Sequence, residues 1–416
     1  MTSTAQPLAH RLMLDAPGHR HGLTLLPQLA PISMSDVASI THVGIPRRVS
    51  AAWESAAGGV GRDEKMATLA AVGEAVERAC AALARPATRR RDALPSDQRI
   101  DPEEWHLFTP QQREQPDFPF SALYGDSLPY VEVAGLAGGS WWAPETLVVM
   151  RDEAGAGGTT SSGLAAATTR TGAIARALME IIERDALMVT WMGALPGREI
   201  PLPAQLAAEV EPLGAECHVF DLTPAYSPVP VAAVAGGIRK AGVRRVSLGV
   251  ACKPTWDEAV EKAYLEWNQG VLFAGLYGEH AQVETPRDPS ALRTFDEHAI
   301  YYTQHPELWD RLPLWASAIP SVAPKVEIRG DDAAVVTAIA AAFDAHSIRA
   351  GWVDLTTIDA RQVGLSVVRA VSPDLASIFA HQAWPHLNRV AKAIPLRYPG
   401  LTPCEPFPHP MPHPLG

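Results

Sequence analysis

The 416-residue sequence predicts a mixed α/β (α+β) fold with several subdomains, and three observations support this prediction. Segments typical of strands alternate with long apolar helices along the chain, which is the pattern of mixed architectures. The length and the 47% hydrophobic content are enough for one large domain or for two to three subdomains. The tripeptide Asp-Leu-Thr precedes a strand-like run twice, at 221–223 and at 354–356, which is consistent with related subdomains.

Four helices are predicted, over residues 63–83, 170–191, 256–276 and 333–345. The first ends at Arg85-Pro86, because the residue before a proline resists helical geometry. Strands are predicted over residues 130–133, 141–150, 216–221, 230–235, 246–251, 351–354 and 365–371. A glycine-rich turn at 155–158 lacks the Gly-Lys-Ser/Thr of a P-loop. We interpret it as a flexible connection, although residues 159–162 could offer backbone N–H groups to an anion.

Charge and cysteine usage exclude several classes of function. The formal net charge of -11 argues against a broad nucleic-acid surface, and the basic run at 89–91 is interpreted as a solvated loop. The four cysteines are far apart and lack metal-ligand spacing, which favours reduced thiols. No apolar run reaches the ~18 residues of a membrane span, and the first 30 residues lack the order of a signal peptide. The sequence therefore predicts a cytoplasmic protein with neither a membrane nor a nucleic acid as partner.

Two of the helices carry the same acidic motif, Glu-x-x-Glu-Arg, at 74–78 and at 180–184. Residues three apart lie on one helix face, so each helix presents two carboxylates side by side. A single motif of this kind usually marks a solvated face. Here both helices are otherwise nearly all apolar, which predicts that they are packed on most sides. Because an unpaired buried carboxylate is costly, these groups need partners or a metal ion.

Four carboxylates on two facing helices suit a hard cation. Magnesium takes one or two protein carboxylates and completes its coordination with water and phosphate oxygens. No histidine stands at ligand spacing, which disfavours zinc or a di-iron site. The small residues beside the motifs, Ala67, Ala70, Ala81 and Ala173, are interpreted as leaving space for a ligand. The predicted magnesium ligands are Glu74, Glu77, Glu180 and Glu183.

The third helix presents Lys262, Glu266 and Gln269 at positions i, i+4 and i+7, which share one face. Lys262 could meet phosphates, and Glu266 could meet a ribose or a metal-bound water. An ordinary surface ion pair between Lys262 and Glu266 is the competing interpretation.

These segments together resemble the YcaO superfamily. Residues 161–166, Ser-Ser-Gly-Leu-Ala-Ala, lead into the second motif helix in the manner of that family. Gly-Val-Gly at 59–61 before the first motif helix resembles another family signature, and the 262–269 face resembles a third. The resemblance runs from about residue 50 to the C-terminus. It implies an N-terminal segment 1–50, an ATP-binding catalytic domain 51–402 and a proline-rich tail 403–416.

Members of the YcaO superfamily bind ATP without a P-loop and hold magnesium through glutamates of two such helices. The nucleotide-site residues that the resemblance implies are Glu74, Glu77, Thr168, Glu180, Glu183, Arg184, Lys262 and Glu266. The chain departs from the family pattern at several positions. Val60 stands where lysine is usual, Ser162, Ala167 and Thr168 replace other signature residues, and Gly172 stands where many members have an acidic residue.

Proline alternates strictly with other residues over 406–414, which favours an extended polyproline II tail. A disordered tail and a docking ligand for a partner are the alternatives. The ending resembles that of the azoline-forming cyclodehydratases, in which the tail helps to organise the active site. The resemblance therefore implies a role in the active site for Pro410, Pro412 and Pro414.

The resemblance also implies a reaction that uses ATP and Mg²⁺. A Cys, Ser or Thr side chain of a ribosomally made precursor peptide attacks the preceding backbone carbonyl. ATP phosphorylates the resulting oxygen, and phosphate departs to leave a thiazoline or oxazoline. Paired magnesium ions would neutralise the charge that develops on the transferred phosphoryl group.

Two other functions remain open at the level of sequence. The same ATP site could form a thioamide or an amidine, and the proline tail is the feature against it. A non-catalytic scaffold that binds precursor peptide and partner enzyme is favoured by the departures at Val60, Ser162 and Thr168. The intact set of four glutamates opposes that scaffold function.

Only about 50 residues precede the core of the resemblance, which leaves little room for a separate leader-binding domain. We therefore expect a partner protein, ubiquitin-activating-like or related, that captures the leader of the precursor peptide. A dehydrogenase partner and a homodimer are further expectations.

Overall fold

The computed structural model describes residues 15–17, 23–29, 39–43, 57–151, 160–240, 242–276 and 284–415. The strands in these ranges are β1 Gln28–Leu29, β2 Ser39–Val43, β3 Ala57–Gly61, β4 Thr88–Arg90, β5 Pro129–Gly135, β6 Ser140–Pro144, β7 Leu164–Ala167, β8 Arg198–Ile200, β9 Glu216–Asp221, β10 Val231–Lys240, β11 Val243–Cys252, β12 Ile319–Pro320, β13 Gly351–Asp354 and β14 Ser366–Val371. The helices are α1 Glu64–Leu83, α2 Pro110–Arg113, α3 Arg170–Met192, α4 Ala204–Val210, α5 Trp256–Leu276, α6 Phe295–Gln304, α7 Pro306–Trp309, α8 Pro313–Ala316, α9 Asp332–Ala345, α10 Ile358–Gln362 and α11 Val390–Arg397. The predicted glycine-rich turn at 155–158 lies outside the described residues.

The described strands form three sheets. The smallest has the order β1-β2-β3, the second β11-β10-β9-β8-β12, and the third β4-β5-β13-β14-β7 with β6 paired to β5. All pairings between these strands are antiparallel except that of β12 with β8. Helix α3 packs on β7 and β14 of the third sheet and on β10 and β11 of the second. The predicted mixed α/β fold is confirmed.

The two motif helices begin with side-chain caps that the sequence supplies locally. Asp63 accepts a hydrogen bond from the Met66 N–H at the start of α1, at 2.8 Å. Thr169 accepts one from the Gly172 N–H at the start of α3, at 3.0 Å. Such caps satisfy N–H groups that the first helical turn leaves unpaired, so they fix where each helix starts. The position of each pair of glutamates along its helix follows from that start.

The repeated tripeptide Asp-Leu-Thr ends β9 and β13 with the same hydrogen bonds. The side chain of Asp221 accepts from the Thr223 N–H at 2.8 Å, and that of Asp354 accepts from the Thr356 N–H at 2.9 Å. Each threonine hydroxyl then accepts an N–H from the next antiparallel strand, at 3.0 Å and 2.9 Å. The second and third sheets therefore share a local strand-ending structure.

Strand β3 lies directly against α1, and glycine makes that contact possible. A Cβ atom on Gly59 would lie 2.1 Å from the Ala71 nitrogen and 2.3 Å from the Ala67 oxygen. Ala67, Ala81 and Ala173 are fully buried in the protein core. The interpretation of the small residues as ligand space is therefore wrong for these three, because protein atoms occupy the space beside them.

Two further predictions are corrected by the structure. The strand predicted over 141–150 ends at Pro144, after which the chain forms a short 3-10 helix at Glu145–Leu147. The basic run at 89–91 is not a loop, since Arg89 and Arg90 belong to the exposed strand β4. All four cysteines are free. None of the helices within the described ranges has the length and apolar character that a membrane span needs.

Candidate active site

The acidic residues of α1 and α3 meet where β3, β7 and β11 reach the two helices. Glu74 accepts a hydrogen bond from the Gly58 N–H of β3 at 2.8 Å. Glu77 accepts one from the Ala166 N–H of β7 at 2.7 Å. Both carboxylates of α1 therefore point at strand backbone, not at bulk solvent. These two carboxylates therefore do not lie on an ordinary solvated helix face.

The glutamates of α3 face the same region from the other side. Glu183 accepts a hydrogen bond from the Cys252 N–H at the end of β11, at 3.0 Å. Burial raises the pKa of Glu180, while Arg184, Arg369 and a backbone hydrogen bond from Gly163 lower it. Gly163 has a φ of +79°, and a Cβ there would lie 2.4 Å from the Ala370 oxygen. The glycine of the Ser-Ser-Gly segment is thus required by its left-handed backbone and by the close approach of β14.

Cationic side chains surround the four glutamates. Arg78 pairs with Glu74 at 2.5 Å, and Arg184 lies 3.5 Å from Glu183 and 3.8 Å from Glu180. Lys262 and Glu266 on α5 form an ion pair at 3.1 Å. Glu183 and Glu74 both raise the pKa of Lys262, so this lysine belongs to the same cluster. The predicted third helix thus joins the two motif helices.

Lys253, a basic residue of this cluster, was not identified in the sequence analysis. It directly follows β11, and the pKa of Lys253 is lowered by burial and by Lys262 while Glu183 and Glu266 raise it. A lysine beside a strand end carries no sequence pattern that would single it out. Its proximity to Lys262 nevertheless gives the cluster a pair of neighbouring ammonium groups, which is an arrangement suited to polyanionic phosphates.

Burial dominates the electrostatics of the carboxylates. It raises the pKa of Glu77 and of Glu183 to about 8, with repulsion from neighbouring glutamates adding to the effect. Burial also raises the pKa of Glu180. Even so, the side chains of Glu74, Glu180 and Glu183 keep 31%, 24% and 11% of their surface accessible. Carboxylates that are desolvated yet still reachable line a recess and do not belong to a closed core.

The donor set of this recess fits magnesium bound together with a nucleotide. Desolvated carboxylates with raised pKa values are groups that a divalent cation would stabilise in their charged form. Among the described residues, no three His, Cys, Asp or Glu side chains form a cluster able to hold a metal ion by themselves. Magnesium ordinarily draws most of its ligands from water and phosphate oxygens, so one or two carboxylates for each ion are sufficient.

The remaining predicted positions divide between the recess and its surroundings. Gln269 approaches β3, since its Nε2 lies 2.6 Å from an ideal Cβ on Gly58. Thr168 is exposed in the turn between β7 and α3, and no hydrogen bond joins it to the glutamates of the described chain. Val60 is 4% exposed and packs in the apolar core under α5, so a lysine would not suit that position. The structure therefore unites seven of the eight predicted nucleotide-site residues and leaves Thr168 at the margin.

Position 172 is a glycine and carries no carboxylate, but the carboxylate of Asp332 lies beside it. A Cβ on Gly172 would lie 2.7 Å from Oδ2 of Asp332, the first residue of α9. An acidic side chain at 172 would therefore meet Asp332. The glycine and the distant aspartate are compatible with each other, which explains why the departure at this position does not leave an empty space.

The proline-rich tail is ordered and packs on its own chain. The Cys404 N–H donates to the Gly193 oxygen at 3.0 Å, and the His409 N–H donates to the Met192 oxygen at 2.9 Å. Residues 412–415 are buried. The alternative of a disordered tail is wrong for the described residues. Pro412 and Pro414 are buried and Pro410 is exposed.

Comparison with known proteins gives one family match. The family model described as YcaO cyclodehydratase, ATP- and Mg²⁺-binding, matches residues 58–376, which is well over half of the chain. The match lies within the predicted catalytic domain 51–402. A search among curated proteins found no match.

Solved structures share the fold at low sequence identity. A heterocyclase in complex with substrate and cofactor has a TM-score of 0.73 at 19% identity, covering 97% of this chain and 57% of that one. The YcaO protein of Methanopyrus kandleri, bound with AMPPCP and Mg²⁺, has a TM-score of 0.63 at 17% identity and covers 94% and 93%. The E. coli microcin synthetase McbBCD complex with pro-MccB17 bound has a TM-score of 0.65 at 14% identity and covers 93% and 96%. The chain thus spans little more than half the length of the first of these proteins.

Proposed function

Because the chain belongs to the YcaO cyclodehydratase family, we propose that it forms azolines in a ribosomally made precursor peptide with ATP and Mg²⁺. The observation that carries this proposal is the convergence of the two Glu-x-x-Glu-Arg helices on one recess, with Lys262 and Glu266 at its side. In the proposed reaction, a Cys, Ser or Thr side chain adds to the preceding amide carbonyl. The carbonyl oxygen accepts the terminal phosphoryl group of ATP, and ADP and phosphate are the products that leave.

The chain's own residues have distinct proposed tasks. Glu74, Glu77, Glu180 and Glu183 would hold magnesium, and the ion would neutralise charge on the transferred phosphoryl group. Arg184, Lys262 and Lys253 would bind phosphate oxygens. Backbone N–H groups of Gly58, Ala166 and Cys252 already fix three of the carboxylates in orientation, so little rearrangement is needed when the nucleotide enters. The exposed Thr168 is proposed as a residue at the nucleotide's edge.

The proposed partners are a precursor peptide and a protein that captures its leader. The likeness to the E. coli complex that carries pro-MccB17 supports a peptide substrate. A homodimer and a dehydrogenase partner remain part of the proposal. The proposed location is the cytoplasm, which the four free cysteines support. Tight binding and unaided processing of full-length precursor by the isolated chain would contradict the leader-binding partner.

The function is tested with a cysteine-containing model peptide that carries heavy oxygen at the carbonyl preceding cysteine. The full chain, supplied with a candidate leader-binding partner, Mg²⁺ and ATP, is expected to yield a peptide that has lost one water, together with labelled phosphate. Mass spectrometry follows both products. A product that forms only with added sulfide would point to thioamide formation, and one that forms only with an added amine would point to an amidine. Nucleotide binding without any turnover, even with candidate partners, would favour the scaffold.

The affinity for Mg-ATP is expected to rise with pH between about pH 7 and about pH 9. The pKa values of Glu77 and Glu183 are both raised to about 8, so part of the population is protonated at neutral pH. Because a metal ion binds the ionised carboxylates, binding releases protons, and affinity rises about tenfold per pH unit for each proton released. Calorimetry in two buffers of different ionisation enthalpy counts these protons. In the variant Glu77→Gln, fewer protons should be released, and an unchanged number would contradict the assignment.

A further inference from the structure

The end of the C-terminal tail is held through its carbonyl groups. Proline has no N–H, so a proline-rich segment offers its neighbours mainly hydrogen-bond acceptors. Side chains of the folded chain contact four successive carbonyl oxygens of the tail. Gln382 Nε2 donates to that of Pro410 at 3.3 Å, Trp191 Nε1 to that of Met411 at 2.8 Å and Tyr302 Oη to that of Pro412 at 2.6 Å, and His298 Nδ1 lies 2.9 Å from that of His413. These four side chains, Trp191, His298, Tyr302 and Gln382, line a groove. This groove binds the tail through its backbone carbonyls, one residue after another.

His413 is the tail side chain that returns a hydrogen bond to the groove. It is 1% exposed, and its Nε2 lies 2.8 Å from the carbonyl oxygen of Phe379. A carbonyl only accepts, so Nε2 must carry the hydrogen. Nδ1 faces the backbone N–H of Leu415 at 3.4 Å and is therefore the acceptor of the ring. The contacts on both sides define one neutral tautomer and leave no acceptor for a second proton.

The surroundings of His413 are unfavourable for a positive charge. Its ring stacks on that of His298 from α6, with 4.3 Å between centroids. The other titratable groups that act on it are Arg184 of α3 and His386, while Tyr302 of α6 binds the neighbouring carbonyl. Burial, followed by His298, places the pKa of His413 well below its ordinary range, and Arg184 and His386 act in the same direction.

We propose that His413 is a positioning residue that fastens the tail only as a neutral imidazole, so that acid releases the tail from its groove. In a released tail, His413 is solvated and has an ordinary pKa of about 6.5. The docked state binds the proton more weakly than the released state. Docking is therefore fully present above about pH 6.5, and each pH unit below that value weakens it about tenfold.

His298 acts in the opposite direction. Its Nδ1 and Nε2 face two carbonyl oxygens, those of His413 and Ala380, each at 2.9 Å. Protonation would give His298 a second donor and strengthen docking. Burial lowers the pKa of His298, however, although both carbonyl contacts and Glu297 raise it. His298 therefore stays neutral just below pH 6.5, and His413 sets the sign of the effect there.

Backbone amide exchange at Cys404 and His409 tests the proposal in the full chain without any substrate. Both N–H groups are bonded to the end of α3 when the tail is docked, at 3.0 Å and 2.9 Å. After correction for intrinsic exchange, their protection is expected to be constant above about pH 7 and to fall about tenfold per pH unit below about 6.5. Amides of α1 should keep their protection, which separates tail release from global unfolding.

The decisive variant is His413→Gln, which retains an N–H donor for the Phe379 oxygen but does not titrate. It is expected to dock at neutral pH and to show much less release in acid, with only the smaller contribution of His409 remaining. The comparison variant is His409→Gln, which removes another half-buried tail histidine. Burial lowers the pKa of His409 less than that of His413, so this variant should keep most of the acid release. Acid release in His413→Gln that is as steep as in the wild type would overturn the proposal, as would wild-type protection that is independent of pH or that grows in acid.

An effect of tail release on catalysis is expected because the tail lies close to Arg184, which lowers the pKa of His413. This expectation rests on the proposed function. ATP turnover measured in parallel should fall in acid together with amide protection in the wild type, and less steeply in His413→Gln. A normal acid release with no turnover at any pH would contradict the proposed reaction and leave the role of His413 in docking supported.

Discussion

Replacing Glu180 and Glu183 together with alanine is expected to weaken Mg-ATP binding by at least about 100-fold, since losing only the outer-shell partners of metal ligands typically costs about 10- to 100-fold. These two residues are half of the four motif glutamates that converge on the recess. Arg184 would also lose both of the α3 carboxylates that lie within 4 Å of it. Isothermal calorimetry with Mg²⁺ and ATP measures the change directly in the unmodified chain and in the double variant.

The double variant should remain folded, so that lost binding can be assigned to the site. Removing the two side chains breaks two hydrogen bonds, from the Cys252 N–H to Glu183 and from the Gly163 N–H to Glu180. The double substitution also removes two negative charges that lie close together. Burial and mutual repulsion make these charges unfavourable in the unliganded protein, as the raised pKa values of Glu180 and Glu183 indicate. These effects oppose each other, and we expect the melting temperature without nucleotide to change by only a few degrees.

A matched control replaces two glutamates that are exposed and far from the recess, Glu211→Ala with Glu307→Ala. It removes the same net charge and should bind Mg-ATP as the unmodified chain does. Unchanged affinity in the Glu180 and Glu183 variant would place the nucleotide elsewhere. Absence of binding in the unmodified chain, with partner and precursor added, would favour the non-catalytic scaffold.

Local sequence signals were sufficient for the helices that carry the site. The predicted helix over 256–276 coincides with α5, and the predicted helix over 63–83 begins at the Asp63 cap of α1. Apolar periodicity and capping act within a few residues, so the chain records them locally. The match to the family model confirms the predicted family and its use of ATP and Mg²⁺. The individual ligand assignments stay predictions until the variants above are measured.

Contacts between distant segments could not be predicted from the sequence. Lys253 joins the recess because β11 ends beside α3, and Asp332 reaches Gly172 from a helix more than 150 residues away. Helix α11 was missed because Pro395 lies inside it, and proline normally predicts a break. In each case tertiary packing decides the outcome, and a single sequence without homologues contains no direct record of that packing.

Replacing Asp185 with alanine is expected to lower the free energy of unfolding by about 3 to 5 kcal/mol, because it leaves a buried cation without its carboxylate. Asp185 is fully buried on α3 and accepts hydrogen bonds from Arg397 at 3.1 Å, from the Tyr226 hydroxyl at 2.9 Å and from the Ala376 N–H at 2.8 Å. Urea unfolding of both proteins measures the difference.

The ion pair of Asp92 with Arg90 is the matched control. Its side chains are 51% and 64% exposed, although the atoms are only 2.7 Å apart. Asp92→Ala should therefore change the free energy of unfolding far less than Asp185→Ala does, since water screens exposed pairs. A loss in Asp185→Ala no greater than in Asp92→Ala would contradict a structural role for the buried pair.

The double variant Asp185→Ala with Arg397→Met should recover part of the lost stability, because it also removes the unpaired charge. Asp185 follows Glu183 by two residues and so lies on the opposite side of α3 from the carboxylates of the recess. Its partners, α11 and the segment around Ala376, hold that side of the helix. If the pair sets the orientation of α3, the double variant should regain stability while its affinity for Mg-ATP stays below that of the unmodified chain. Recovery of both properties together would show that the pair contributes stability alone.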